Sequence, residues 1–312
     1  MPIYVPAHSR RSFLASSLAI GASWSGASVI ASIAGSGDTA VDDSYFALLS
    51  DTHIPASPEV NARDVNMSEN LQRVVATICA SSVRPAAVMI NGDCAYLAGK
   101  IEDYRNLAAL IDPLSKAGMP IHLTMGNHDD RDPLYAALRD QRPRGTPPVA
   151  AKHVSVIESR HANWFLLDTL KVVNQVTGQL GVDQLRWLAM ALDERLDKPA
   201  IVMAHHNPQF TPPADGQTWN GIQDTAELFD ILQQRRQVKA LIFGHTHVWK
   251  VEQRERLQLI NLPPVAYVFS PEQPSGWVEA RLRANGLQLT LRTHDKTAKH
   301  PQSGQIVDIA WS

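Results

Sequence analysis

Short uninterrupted apolar runs alternate along the chain with stretches whose apolar residues recur every three or four positions. The runs at 45–50, 86–90, 120–125, 153–158, 163–167, 199–204 and 238–243 are too short for buried helices. Bounded by turn residues, they predict strands covered on both faces. Residues 257–262, 277–282 and 287–292 predict later strands, the last two joined by a hairpin turn at Asn285-Gly286. Helical spacing covers 69–80, 103–114, 132–138, 183–196 and 225–234. Ser68 and Asp183 stand where N-caps belong, each followed by one apolar face. Strands alternating with helices early, then strands dominating late, predict an α/β layered sandwich. No Pro/Gly/Ser linker splits the chain after the N-terminal segment, which predicts one domain, with the Pro-rich stretches 143–148 and 207–214 as surface loops.

The residues that follow these runs carry the chemistry. The first run ends in Asp51-Thr52-His53 and the second in Asn91-Gly92-Asp93. The third ends in Gly126-Asn127-His128-Asp129-Asp130-Arg131. Two later runs end in His205-His206-Asn207-Pro208 and Gly244-His245-Thr246-His247. Sites in open α/β sheets form outside the carboxyl ends of strands. Imidazole and carboxylate without thiolate suit Mn, Fe or Zn. Seven such donors are too many for one ion that must also hold water and substrate, and suit two ions sharing a carboxylate. Strand alternation puts Asp51 with His53, and His245 with His247, on common faces. Gly92, Gly126 and Gly244 let the chain turn beneath the donors. Any one of Asp51, Asp93 or Asn127 alone is explained as well by turn chemistry. Five ordered groups on strand ends are not.

Composition narrows the classes further. A hydrophobic fraction of 44% over 312 residues excludes global disorder and permits a large core. Lys+Arg 29 against Asp+Glu 31 disfavours a nucleic-acid track. Arg10-Arg11 precede a stretch from Ser12 to Gly37 without any charge, apolar but diluted by Ser and Gly, and the exit Ser32-Ile33-Ala34 is small. That pattern predicts an export signal of the twin-arginine type over 1–34 and a periplasmic destination. The alternative is an uncleaved anchor, for which the Ser/Gly content makes a poor spanning helix. A linker at 35–44, a domain at 45–295 and a tail at 296–312 complete the expected organisation. In an oxidising compartment Cys79 and Cys94 either pair or remain buried thiols.

Asp-x-His, Gly-Asp, Gly-Asn-His-Asp, His-His and Gly-His-x-His, in this order, resemble the calcineurin-like metallophosphoesterases over about residues 45–295. Residues 126–131, and the segment from Gly178 through Gln184-Leu185-Arg186-Trp187-Leu188 to His205-His206, resemble the branch holding cyclic-nucleotide and glycerophosphodiester phosphodiesterases. The resemblance implies a four-layer α-β-β-α sandwich and hydrolysis of a small phosphate ester with two divalent ions. A diester is the first expectation, with a monoester phosphatase, a weakly catalytic scaffold and a nuclease as alternatives. By matching position, Asp51, His53 and His247 would hold one ion, Asn127, His205 and His245 the other, with Asp93 bridging. His128 would stand by the leaving oxygen. His206 would orient His205, contact phosphate or pack. The family often has His-His-Pro-Pro where this chain has His205-His206-Asn207-Pro208, a departure that bears on the following loop.

Overall fold

The computed structural model describes residues 40–294 and 300–311; the expected export signal at 1–34 lies outside the described residues. Two six-stranded sheets face each other. The first is built from β1 (Ala40–Ser50), β4 (Val83–Asn91), β5 (Ile121–Thr124), β12 (Gly276–Arg283), β13 (Gly286–Thr293) and β14 (Ile306–Ala310). Its order is β14-β13-β12-β1-β4-β5, parallel from β1 to β5 and antiparallel across β12 to β14. The second contains β6 (Ser155–Glu158), β7 (Asn163–Leu166), β8 (Ala200–Met203), β9 (Val238–Phe243), β10 (Lys250–Arg254) and β11 (Leu257–Asn261), in the order β10-β11-β9-β8-β7-β6. A small hairpin pairs β2 (Asn61–Ala62) with β3 (Val65–Asn66).

Alternation within β1 explains the layering. Tyr45, Ala47 and Leu49 point outward and pack on α1 (Met67–Cys79) and α2 (Ile101–Lys116) through Leu71, Val74, Ile78, Tyr104 and Leu107. Phe46 and Leu48 point inward, into a core shared between the sheets with Trp164, Ile201, Met203, Ile242 and Val278. Phe165, Val202 and Leu241 leave the far face of the second sheet and pack on α4 (Val182–Asp193) and α5 (Thr225–Gln233). A short α3 (Arg131–Ala137) follows β5. The result is the α-β-β-α arrangement, with helices covering both outer faces.

Local expectations shift at several points. The side chain capping α1 is Asn66, which accepts from the Glu69 amide at 2.9 Å, and Ser68 lies inside the helix. Gly181, not Asp183, occupies the cap position of α4, and Asp224 on a neighbouring element accepts its amide at 2.7 Å. The β12–β13 turn falls at Ala284-Asn285, one residue early. The expected linker 35–44 contributes the start of β1, and the expected tail 296–312 supplies β14, an edge strand whose alternation is too weak to stand out. His294 hydrogen-bonds the Val265 carbonyl at 2.7 Å. Cys79 is exposed and Cys94 buried, both as free thiols. Among the described residues no helix is long and apolar enough to cross a membrane.

Candidate metal centre

The carboxyl ends of β1, β4, β5, β8 and β9 meet along one rim, and hydrogen bonds between side chains and backbone tie the two sheets together there. Asn91 Nδ2 donates to the Ala204 carbonyl at 3.0 Å, and the His245 amide donates to Asp51 at 3.2 Å. Asp51 and His53 lie beyond the end of β1, and His245 and His247 beyond β9. Strand alternation therefore does not align them. Asp51 (φ 52°), His53 (φ 45°), Asp93 (φ 46°), His245 (φ 67°) and His247 (φ 56°) all adopt the left-handed region. Each such residue costs on the order of 1 kcal/mol, and such strain gathers at functional sites. Of the glycines, Gly92 takes positive φ (69°), and a Cβ there would sit 2.6 Å from the His205 ring. At Gly126 the requirement is space: a Cβ would overlap the Asp93 carboxylate.

The geometry brings six of the seven expected donors together. His53 Nε2 stands 3.1 Å from His247 Nε2, which is 3.4 Å from Asp51 Oδ1. His205 Nε2 lies 3.3 Å from Asp93 Oδ2, and His53 Nε2 lies 3.7 Å from the same oxygen. Asp93 thus faces both halves of the cluster. Three overlapping groups, Asp51-His53-His247, His53-Asp93-His128 and Asp93-His205-His245, each gather ligand atoms within 4.8 Å of one another. Cys94 belongs to none of these groups. Asn127 Oδ1 is buried without a partner, as is His205 Nε2 without a hydrogen bond.

These observations fit a pair of cations. Two imidazole lone pairs cannot face each other at 3.1 Å without a proton or cation between them. Donor separations of about 3.0–3.4 Å are the edges of a polyhedron with bonds of about 2.1 Å. The electrostatics agree. Burial raises the Asp51 carboxyl, but the His205 and His247 imidazoles more than offset it and hold it at about 2. Burial dominates in pushing the His53 imidazole down to about 3, helped by the His247 and His128 imidazoles, and in lowering His245 to about 4. His205 goes the other way: burial lowers it, but Asp93 and Asp51 raise it to about 10.

Surrounding groups set the ligand orientations. His205 Nδ1 bonds the Asn91 carbonyl at 2.8 Å and His247 Nδ1 the Tyr267 carbonyl at 2.6 Å, leaving each Nε2 for the centre. His128 is half-buried at the rim, its amide on Asp93 Oδ1 (2.9 Å) and its Nδ1 on the Leu97 carbonyl (2.7 Å). His206 is buried with its Nδ1 2.7 Å from Thr169 Oγ1, and its ring lies 5.0 Å from that of His205 and 4.5 Å from that of His245. Its Nε2 is buried without a hydrogen-bond partner among the described residues. Asp168 is buried away from the cluster and holds Arg131 at 2.6 and 2.7 Å. Trp219 is half-buried, and its carbonyl accepts from Thr177 at 2.8 Å.

Asp129 and Ser50 were not singled out in the sequence. The Asp129 carboxylate accepts from the amides of Cys94 (3.0 Å), Ala95 (3.1 Å) and Gly126 (2.9 Å) and from the Tyr104 hydroxyl (3.0 Å). It ties the loop after β4 to the loop after β5. Ser50 Oγ donates to Asp51 Oδ2 at 2.5 Å. The only available hint was that both adjoin candidate ligands.

The family model of the calcineurin-like phosphoesterases matches residues 44–249. The chain belongs to this family. Among curated relatives, a 3′,5′-cyclic adenosine monophosphate phosphodiesterase of Pseudomonas aeruginosa is 28% identical over 84% of this chain and 90% of its own. A cAMP/cGMP dual specificity phosphodiesterase of Mycobacterium tuberculosis is 30% identical over 64% of this chain and 60% of its own. A dimetal phosphatase from Danio rerio shares the fold, with a TM-score of 0.64 at 13% identity over 86% of this chain and 99% of its own. This calcineurin-like phosphoesterase is accordingly a metal-dependent hydrolase of phosphoric esters.

Proposed function

We propose that the chain hydrolyses phosphodiesters at a two-metal centre, with nucleoside 3′,5′-cyclic phosphates as the first candidate substrates. The observation that carries the reading is the cluster of Asp51, His53, Asp93, His205, His245 and His247, in which Asp93 faces both halves. Asp51, His53 and His247 would hold one ion, and Asn127, His205 and His245 the other, with Asp93 available to both. The ions are Mn, Fe or Zn, the choices suited to nitrogen and oxygen donors. When bound, two such ions activate water and neutralise the phosphoryl oxygens.

The chain's own residues do the rest. The Leu97 carbonyl accepts from Nδ1–H of His128 and so aims Nε2 toward the centre, from which the imidazolium form would give the Nε2 proton to the leaving oxygen and be left as the neutral ring. Asn127 Oδ1 has no competing partner and is free to act as a ligand. His206 contributes no donor to the centre and keeps the His205 and His245 rings in place. The diester preference is supported by the names of the two curated relatives. Chromogenic diester and monoester hydrolysis with Mn, Zn and Fe tests it. A higher diester rate sustains the reading, and a monoester preference moves the chain to the phosphatases.

Two further results are expected. His128→Gln lowers kcat by about 10²–10⁴ while metal content stays at the wild-type level. The loss is largest for poor leaving groups, and a uniform loss across a leaving-group series would count against proton donation. Metal affinity also depends on pH. Without ions, the carboxylates around His205 hold its proton up to about 10, so an incoming ion must displace it. Affinity measured against a chromophoric chelator therefore rises from pH 6 to pH 8, by about a hundredfold for one proton released. Flat affinity would mean that no donor gives up a proton.

The N-terminal pattern supports export through the twin-arginine machinery to the periplasm, with the metals acquired before export. Replacing Arg10 and Arg11 together by Lys is expected to retain the protein in the cytoplasm, as read by fractionation.

A further inference from the structure

Beside the His247 half of the centre, aromatic and cationic groups are stacked in layers. Phe269 stacks on the His247 ring, 4.2 Å between centroids and 21° from parallel. It is 55% exposed, although a phenyl ring at a rim ordinarily folds inward. Tyr267 stacks on His53 at 5.1 Å and 17°. The Arg63 guanidinium lies over both rings, 4.7 Å from the Phe269 centroid and 5.6 Å from that of Tyr267. Arg63 is itself exposed. Among the described residues no carboxylate pairs with it.

The placement of Arg63 is costly. It sits with Asp64 at the tip of the β2–β3 hairpin, and both residues take positive φ (51° and 63°). A two-residue turn of that shape favours Asn-Gly, so an arginine there is held against its backbone preference. Leu97 also takes positive φ (60°), and its carbonyl holds His128. An exposed phenyl ring and a guanidinium unpaired by carboxylates thus stand beside the His247 half of the centre, with left-handed backbone at Arg63.

We infer that Arg63 and Phe269 form the subsite that receives the planar, nitrogen-rich base of the nucleoside phosphate proposed above, and so set specificity for the organic group of the ester. The inference rests on the phosphoester-hydrolase reading above. A guanidinium already stacked on one ring presents its other face and five N–H donors to a second planar group with acceptor nitrogens. It lies two stacking layers out from a metal-facing imidazole, a separation that a nucleoside can bridge from its phosphate. An aliphatic alcohol group could use neither the face nor the donors.

The test uses four substrates on the full, metal-loaded protein: 3′,5′-cyclic AMP and glycerophosphoethanolamine as diesters, AMP and glycerol 3-phosphate as monoesters. Whichever pair the wild type turns over decides the ester class. Within that pair, the ratio of kcat/KM for the nucleotide to that for the aliphatic ester reads the subsite. Phe269→Ala and Arg63→Ala should each lower this ratio about tenfold, mainly through KM. Phe269→Tyr keeps a ring and should restore most of it. Equal losses on both members of the pair, or no change in the ratio, would overturn the subsite while leaving the ester class intact. A wild type inactive on all four would overturn both. Metal content and melting temperature of each variant separate a failed fold from a lost subsite.

Discussion

Asp93→Asn is expected to abolish hydrolysis, with kcat/KM falling at least about a thousandfold, or about 4 kcal/mol of transition-state stabilisation. One Asp93 oxygen stands 3.3 Å from His205 and 3.7 Å from His53, and the other accepts the His128 amide at 2.9 Å. The carboxylate thus joins both proposed ion positions to the proposed proton donor. An amide keeps the size but loses the charge, and can bring only one oxygen to the shared position. Burial opposes ionisation of Asp93, yet the His205 and His53 imidazoles hold it well below the usual carboxylate range. The side chain is therefore ready to meet cations at any working pH. Elemental analysis of the variant should find fewer than two ions per chain. Full activity in Asp93→Asn would remove the two-metal reading, whereas lost activity with both ions retained would limit Asp93 to an electrostatic role.

Asp129→Asn should cause the largest loss of stability among changes near the site that spare every proposed ligand. Four donors converge on this buried carboxylate: three backbone amides and the Tyr104 hydroxyl. Burial and the nearby Asp93 push its pKa up to about 6, with the three amides pulling the other way, so it remains mostly ionised at neutral pH. An asparagine there turns its NH₂ toward backbone amides, which can only donate. Leaving such donors unsatisfied costs about 3 kcal/mol. For a domain of this size that lowers the melting temperature by about 6–12 °C. The damage extends to activity, because the same bonds fix Gly126 beneath Asp93 and join the two loops that deliver Asp93 and Asn127. Thermal unfolding followed by circular dichroism gives the first quantity and turnover the second. An unchanged melting temperature would show that water can replace the carboxylate.

Much of the fold is local and was therefore readable from one dimension. Runs such as Ala47-Leu48-Leu49 and Ala240-Leu241-Ile242 can only be strands covered on both faces, and their carboxyl ends point to a rim of polar donors. The donor types at those ends, and their order, identify the chemistry because few arrangements of Asp, Asn and His on strand exits serve anything else. What the pattern could not supply was how the donors converge. Alternation suggested that Asp51 and His53 share a strand face, whereas left-handed backbone just past the strands turns them, along with Asp93, His245 and His247, toward one point. Such conformations are set by cross-sheet bonds like that from the His245 amide to Asp51, and propensity does not register them. The roles of Asp129 and of the Arg63–Phe269 stack were invisible for the same reason. Each joins segments far apart in the chain, Asp129 with Cys94 and Tyr104, Phe269 with Arg63 and His247. By itself the sequence determined the strands and the order in which candidate donors follow them. The tertiary structure alone decided where those donors meet and what stands around them, because contact between distant segments follows from packing and not from local preference.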